Sequence, residues 1–188
     1  INKKGQVSFI GSNPLIKSLS KKILNWERLN IEPCSSVVCG NNYTALLLKS
    51  SRLACYWNGK NDGSLIYIDT SDRVPTALFG GRKNAAVIDT NGEVLLITQF
   101  SITSPNHTAE IIKLPNDEKA IFVACLEKII FILSSIGLVY GYPLSEKVLK
   151  PIDELKNENI IQISGTWRHC LAVIQDGRVF RQGSNEYG

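Results

Sequence analysis

Short apolar runs, each only a few residues long, recur along this chain and are separated by polar turn residues. Residues 121–124 and 129–132 are two such runs, rich in the β-branched and aromatic side chains that favour strands. Asn-Gly at 91–92 and Asp-Gly at 176–177 follow apolar runs, and such pairs are strong local signals for a tight β-hairpin. The pattern therefore predicts an all-β chain made of short antiparallel hairpins.

One element of this pattern, a turn residue with an apolar strand residue two positions later, recurs at a nearly constant spacing. The five turn residues, which we call anchors, are Gly5, Ser51, Gly92, Gly137 and Gly177, with separations of 46, 41, 45 and 40 residues. Eleven residues before each of the last four anchors, and shortly before an apolar run, lie Gly40, Gly81, Leu126 and Thr166. This agreement in register indicates an internal repeat of about 43 residues.

A repeat of about 43 residues with three or four short strands has the length of one β-propeller blade. We therefore expect blades that stack side by side and bury their cores between neighbours. The predicted boundaries are a half unit at 1–32, units at about 33–74, 75–114 and 115–150, and a half unit at 151–188. Only residues 18–29 and 152–156 carry a weak helical pattern.

The last copy of the repeat has a more specific sequence. It contains Thr-Trp-Arg-His at 166–169, an apolar run, Asp-Gly-Arg-Val-Phe at 176–180 and Gly-Ser-Asn-Glu-Tyr-Gly at 183–188. This order resembles the regulator of chromosome condensation repeat, with Thr166 in place of the opening glycine. Residues 5–13 resemble the second half of the same repeat. In the three middle copies, the position of the repeat histidine holds Tyr43, Asn84 and Ile129.

The resemblance implies blades of the regulator of chromosome condensation type, about four of the seven that members of that family form. We expect the remaining blades to come from further residues of a longer protein, from a partner chain or from a second copy of this chain. A closed ring of four blades is the alternative. The chain begins at Ile1 and contains no methionine, which favours a fragment or a processed form.

Composition and motifs give little support for catalysis, and we predict no catalytic, cofactor-binding or metal-binding residue. The two histidines are His107, in a polar loop, and His169, which we expect to hydrogen-bond the backbone within its blade. The five cysteines include no Cys-x-x-Cys pair, which favours unpaired thiols in a reducing compartment, cytoplasmic or nuclear. No apolar run has the length of a membrane span.

The better candidates are the two residues that follow Gly40 and its counterparts in each copy. If the copies are blades, these pairs lie at the same end of the propeller and form an arc on one face. The partner-binding candidates in this arc are Asn41, Asn42, Arg82, Lys83, Lys128, Trp167 and Arg168, with Glu127 as the one acidic member. Trp and Arg are the side chains that most often anchor interfaces. The alternative is that these are ordinary solvent-facing turn residues.

Three functions are compatible with this interpretation. The leading one is a non-catalytic protein-interaction domain, a scaffold or a regulatory subunit, that presents a rigid face to another protein. The second, implied by the resemblance, is a guanine nucleotide exchange factor for a small GTPase, because exchange requires no catalytic acid, base or nucleophile. Binding to chromatin or nucleosomes is the weakest, since the net charge of +4 is spread along the chain and makes DNA an unlikely partner.

Overall fold

The computed structural model describes residues 1, 3–6, 8–9, 27–28, 31–57, 65–98 and 109–183. Within these ranges the chain forms four antiparallel sheets of three or four strands, together with one two-stranded pair. Each larger sheet uses strands that follow one another in the sequence, so its hairpins are local. These sheets confirm the predicted all-β blades, and we call them blades 1 to 4.

The strands follow the predicted repeat closely. The two-stranded pair consists of β1 (Ser8–Phe9) and β2 (Glu27–Arg28). Blade 1 contains β3 (Cys34–Cys39), β4 (Tyr43–Leu48), β5 (Leu53–Trp57) and β6 (Ile66–Ile68). Blade 2 contains β7 (Pro75–Gly80), β8 (Ala85–Asp89), β9 (Val94–Ile97) and β10 (Glu110–Ile112). Blade 3 contains β11 (Ala120–Cys125), β12 (Ile129–Ser134), β13 (Val139–Pro143) and β14 (Lys150–Pro151). Blade 4 contains β15 (Ile160–Thr166), β16 (His169–Ile174) and β17 (Val179–Gly183).

The turn between the second and third strands is the same in all four blades. Its anchor residue has a positive φ in each case, namely Ser51 (62°), Gly92 (79°), Gly137 (84°) and Gly177 (92°). The amide N–H of each anchor donates to the carbonyl three residues earlier, at 2.9–3.0 Å. Left-handed backbone is unstrained for glycine and costs any other residue about 1–2 kcal/mol, which explains why four of the five predicted anchors are glycine.

The anchors also join neighbouring blades. The carbonyls of three anchors accept a hydrogen bond from the first backbone amide in the first strand of the following blade. The donors are Cys34 to Gly5 at 2.6 Å, Ala120 to Gly92 at 2.9 Å and Ile160 to Gly137 at 3.3 Å. At the fourth junction the corresponding residue is Pro75, which has no N–H to donate. The repeat is therefore held together by backbone hydrogen bonds as well as by side chains.

The hydrophobic core lies between the blades. One buried cluster joins Leu47 and Cys55 of blade 1 to Val87 and Leu95 of blade 2, and two similar clusters join blade 2 to blade 3 and blade 3 to blade 4. The first strands β3, β7, β11 and β15 contact one another in sequence, which makes them the inner edge of the assembly. Each blade thus depends on its neighbours for burial, as expected for a propeller.

Blade 4 differs from the others on the surface that faces away from blade 3. Leu171 and Val179 are 48% and 58% exposed, whereas their counterparts in blade 1, Ala45 and Leu53, are each 1% exposed beneath blade 2. The repeat places apolar residues at these positions in every blade. Within the described ranges, no fifth blade covers the surface of blade 4.

The weak helical pattern at 18–29 is wrong at Glu27–Arg28, which pairs as a strand with Ser8–Phe9. Pairing with a distant strand overrides local helix propensity there, and residues 18–26 and 29 lie outside the described ranges. The pattern at 152–156 corresponds to a single 3₁₀ turn, Asp153–Leu155. No helix in the described ranges has both the length and the apolar character needed to cross a membrane.

The five cysteines are all unpaired thiols. Cys39 is exposed and the other four are buried. Burial raises the pKa of Cys55 and Cys170 to about 11 and that of Cys125 to about 12, so these thiols are neutral at physiological pH. Among the described residues, no three His, Cys, Asp or Glu side chains are grouped so that they could hold a metal ion.

Candidate interaction face

The four predicted residue pairs lie at one end of the blades, which we call the upper face. Each pair forms the short turn between the first and second strands of its blade, at 41–42, 82–83, 127–128 and 167–168. The anchor turns and the links between blades lie at the opposite end, the lower face. The upper-face turns connect strands that are themselves hydrogen-bonded within a blade, so their positions are fixed by the sheets.

Backbone hydrogen bonds connect the turns of adjacent blades. The amide of Asn41 donates to the carbonyl of Arg82 at 2.8 Å, and the amide of Glu127 donates to the carbonyl of Trp167 at 2.6 Å. A side-chain ion pair of 2.7 Å between Lys83 and Glu127 joins the two middle turns. The upper face is therefore a continuous arc across all four blades.

Glu127 is the centre of this arc. Its carboxylate accepts a hydrogen bond from Nε1 of Trp167 at 2.7 Å, pairs with Lys83, and lies 3.7 Å from Nε of Arg168. The hydrogen bonds from Lys83 and then Trp167, with the attraction of nearby cations, lower the pKa of Glu127 to about 2. The carboxylate is thus ionised at any physiological pH and organises the surrounding cations.

Trp167 lies between two arginines. The guanidinium carbons of Arg82 and Arg168 are each 4.6 Å from the centroid of its ring, which places both within cation–π range. Trp167 as a whole remains 41% exposed. Its backbone has a φ of 43°, which is an unusual conformation for a bulky residue, and the two contacts with Glu127 help to hold it. We call Arg82, Lys83, Glu127, Trp167 and Arg168 the Arg–Trp cluster.

The remaining candidates are more loosely held. Lys128 is exposed, and its ammonium forms no ion pair with any residue in the described ranges. The side chains of Asn41 and Asn42 are exposed and hydrogen-bond each other at 3.2 Å. The structure therefore brings Arg82, Lys83, Trp167 and Arg168 together around Glu127, and it leaves the other three as open neighbours on the same face.

A pocket of about 600 Å³ opens beside the Arg–Trp cluster. It lies at the ends of blades 1 to 3 and is lined in part by Asn41, Asn42, Arg82, Lys83 and Glu127. Its other lining residues, which are not among the predicted partner-binding candidates, are Tyr43, Asn84, Thr98, Glu110, Leu144 and Lys147. Several of these lie beyond the third strands, where loop lengths vary between copies and the repeat gives no register.

The position of the repeat histidine has a structural role in blades 1 and 2. The hydroxyl of Tyr43 donates to backbone carbonyls of Gly81 and Asn84, the former at 2.8 Å. Nδ2 of Asn84 donates to the carbonyl of Leu126 at 3.0 Å. These side chains bind the backbone of the next blade. They therefore fix the relative positions of the upper-face turns. The backbone hydrogen bond expected for His169 within its own blade stays a prediction.

Comparison with known proteins supports this architecture. No family model matches the chain. The E3 ubiquitin-protein ligase HERC2 of Mus musculus is 24% identical over 183 residues, which cover 80% of this chain and 4% of the ligase. The crystal structure of human WBSCR16 is similar with a TM-score of 0.71 and 11% identity, covering 89% of this chain and 52% of that one. Yeast RCC1 (Prp20), solved with Kap60, gives a TM-score of 0.68 and 12% identity, covering 87% and 47%.

This chain is built of RCC1-type β-propeller blades. The common fold confirms the resemblance seen in the last copy of the repeat, because the chain aligns with yeast RCC1 over most of its length. It spans about half the length of these solved structures and a small part of HERC2. At these sequence identities the similarity supports the fold of RCC1-type blades and no more, so the function has to be argued from the upper face itself.

The titration of Glu127 tests the geometry of the Arg–Trp cluster. We expect carbon-detected NMR to give a carboxyl midpoint near 2, below the ordinary value of 4.5. Because this pKa is lowered, ionised Glu127 stabilises the folded chain above pH 4.5, and that contribution is lost as pH falls towards 2. Trp167→Phe removes the indole N–H and should raise the midpoint towards 4.5. Lys156→Ala, on the lower face, should leave it unchanged, and a parent midpoint near 4.5 would contradict the described contacts.

Proposed function

We propose that this chain is a non-catalytic protein-interaction domain, acting as a scaffold or regulatory subunit, whose upper face binds a partner protein. The observation that carries the proposal is Trp167, which is half-exposed between Arg82 and Arg168 on a face made of four fixed turns. Trp and Arg are the residue types most enriched among the side chains that dominate binding energy at protein interfaces.

The cluster is also pre-organised. Glu127 holds Trp167 and Lys83 through hydrogen bonds, and Tyr43 and Asn84 hold the turns of adjacent blades. A surface that is ordered before binding loses less side-chain entropy when a partner docks, so more of the contact energy is retained as affinity. This supports a binding face over a set of mobile solvent-facing turn residues.

Two solved structures of similar fold support a protein as the partner in general terms. Yeast RCC1 (Prp20) has been crystallised in complex with Kap60, and Prp20p of Saccharomyces cerevisiae has binding properties towards Gsp1p and histones. These partners are those of yeast RCC1. They support the proposal because another protein with this fold binds proteins.

A photo-crosslinking experiment in cells tests the proposal. We expect a benzophenone side chain at position 128, beside the Arg–Trp cluster, to give a discrete protein adduct. The same group at position 156, on the lower face, should not give that adduct, and Trp167→Ala combined with the group at 128 should remove it. Equal adducts from both positions, or none from 128, would contradict an upper-face interaction.

The exchange-factor and chromatin hypotheses remain alternatives with separate assays. An exchange factor accelerates nucleotide release because its binding to a small GTPase lowers the affinity of that GTPase for nucleotide, by linkage of the two binding equilibria. A panel of purified GTPases with labelled nucleotide therefore tests the first hypothesis. Retention on DNA that weakens steeply with salt tests the second. A partner adduct from position 128 without either activity favours the scaffold or regulatory role.

A further inference from the structure

Arg82 is an upper-face cation that is held in place by stacking on an aromatic ring. Its guanidinium stacks on Trp167, and its carbonyl is fixed by the amide of Asn41 at 2.8 Å. Within the described ranges, the guanidinium makes no hydrogen bond or ion pair. Stacking covers one face of the guanidinium and leaves the N–H groups at its edges available. Arg82 also lines the pocket of about 600 Å³.

The charges around the pocket indicate what Arg82 would bind. Lys83 is already paired with Glu127, and Lys147 is paired with Glu110 at 2.9 Å. Two of the pocket's three cations are thus in direct contact with carboxylates, whereas the guanidinium of Arg82 contacts no carboxylate in the described part of the chain and shares only the longer-range attraction of Glu127. One planar guanidinium matches one planar carboxylate through two parallel hydrogen bonds.

The same carboxylates argue against a phosphate ligand. Glu110 and Glu127 both line the pocket, and their negative charge opposes a dianionic phosphate or a polyanionic strand more strongly than a single carboxylate. The arc as a whole carries three net positive charges, from Arg82, Lys83, Lys128 and Arg168 against Glu127. That excess favours the approach of an acidic protein segment.

We propose that the upper-face pocket receives the carboxylate of an aspartate or glutamate from the partner protein, with Arg82 as its bidentate donor. This inference rests on the proposed protein-interaction function and names the chemistry of the partner at the same site. Trp167 supports the guanidinium from one side, and the Asn41 amide fixes the turn that carries it. Lys128 adds charge at the rim without a fixed contact.

Binding of a model acidic peptide to the full chain tests this inference. The probe is a short fluorescein-labelled peptide of alternating glutamate and glycine, followed by anisotropy, with its glutamine counterpart and a single-stranded DNA of similar length as comparisons. We expect the glutamate peptide to bind more tightly than both. Arg82→Lys, which keeps the charge and loses the planar fork, should weaken binding about tenfold or more. The lower-face variant Lys156→Glu should change binding by no more than about twofold.

Three results would overturn the proposal: no binding of the glutamate peptide, DNA binding as tight as the peptide, or equal losses in Arg82→Lys and Lys156→Glu. The crosslinking experiment separates this failure from failure of the proposed function. If the adduct from position 128 forms and is unchanged in Arg82→Lys, the upper face binds a protein by other contacts and the carboxylate proposal is wrong. If the parent chain gives no adduct, the interaction function itself is wrong.

Discussion

We expect Asp89→Ala to lower the free energy of unfolding by about 3 kcal/mol, as measured by denaturant titration. The side chain of Asp89 is fully buried. One carboxylate oxygen accepts hydrogen bonds from the backbone amides of Asn91 and Glu93, each at 2.9 Å. The other accepts a hydrogen bond from Arg73 at 2.7 Å. Alanine removes all three contacts at the anchor turn of blade 2 and leaves the guanidinium of Arg73 with Glu93 alone.

Two further variants make this prediction specific. Asp89→Asn keeps an oxygen for the turn amides and loses the charge, so its cost should be smaller than that of alanine. Asp153→Ala removes an exposed carboxylate that lies 3.9 Å from Lys156, and it should change the free energy of unfolding by no more than about 0.5 kcal/mol. Equal costs for Asp89→Ala and Asp153→Ala would contradict the burial described for Asp89.

A similar loss, about 3 kcal/mol, is expected for Gly81→Ala, because there is no space for a side chain between blades 2 and 3. A Cβ on Gly81 would lie 2.0 Å from the backbone carbonyl oxygen of Cys125 and 2.8 Å from its Cβ. The clash involves backbone of the next inner strand, so a rotamer change cannot relieve it. Forcing the blades apart should also disturb the hydrogen bond from Tyr43 to the carbonyl of Gly81.

Gly177→Ala is the matched control for this substitution. A Cβ on Gly177 meets no atom within 4 Å, although the residue has a φ of 92°. Its alanine variant should therefore cost only the strain of left-handed backbone, about 1–2 kcal/mol. Thermal or denaturant unfolding of the two variants decides the point. If Gly81→Ala were no more costly than Gly177→Ala, blades 2 and 3 would not be in the close contact described.

The architecture could be predicted from the sequence because it depends on local residues. The anchors at 51, 92, 137 and 177 are turn residues in a fixed relation to apolar strands, and every one adopts the expected turn. Glycine at three of these positions reflects a backbone requirement that does not depend on neighbouring blades. The helical pattern at 18–29 fails at Glu27–Arg28 for the opposite reason, since pairing with β1 is a contact that no local pattern shows.

The interaction face could be predicted only in part. The repeat register places Arg82, Lys83, Trp167 and Arg168 at one end, but it gives no side-chain contacts. In the sequence, Glu127 is merely the acidic exception among basic residues, whereas in the structure it is the group that the others surround. The spacing of residues in the repeat does not reveal such long-range contacts between side chains.

The most direct test of the upper face is the distance between the side chains of Arg82 and Trp167, which lie in different blades and far apart in the sequence. In the NMR spectrum of the isotope-labelled chain, we predict nuclear Overhauser cross-peaks from the Trp167 ring to side-chain protons of both Arg82 and Arg168. Lys156, on the lower face, should give no cross-peak with this ring. Cross-peaks to Arg168 alone would show that the turns of blades 2 and 4 do not meet, and would contradict both the upper face and the binding proposed for it.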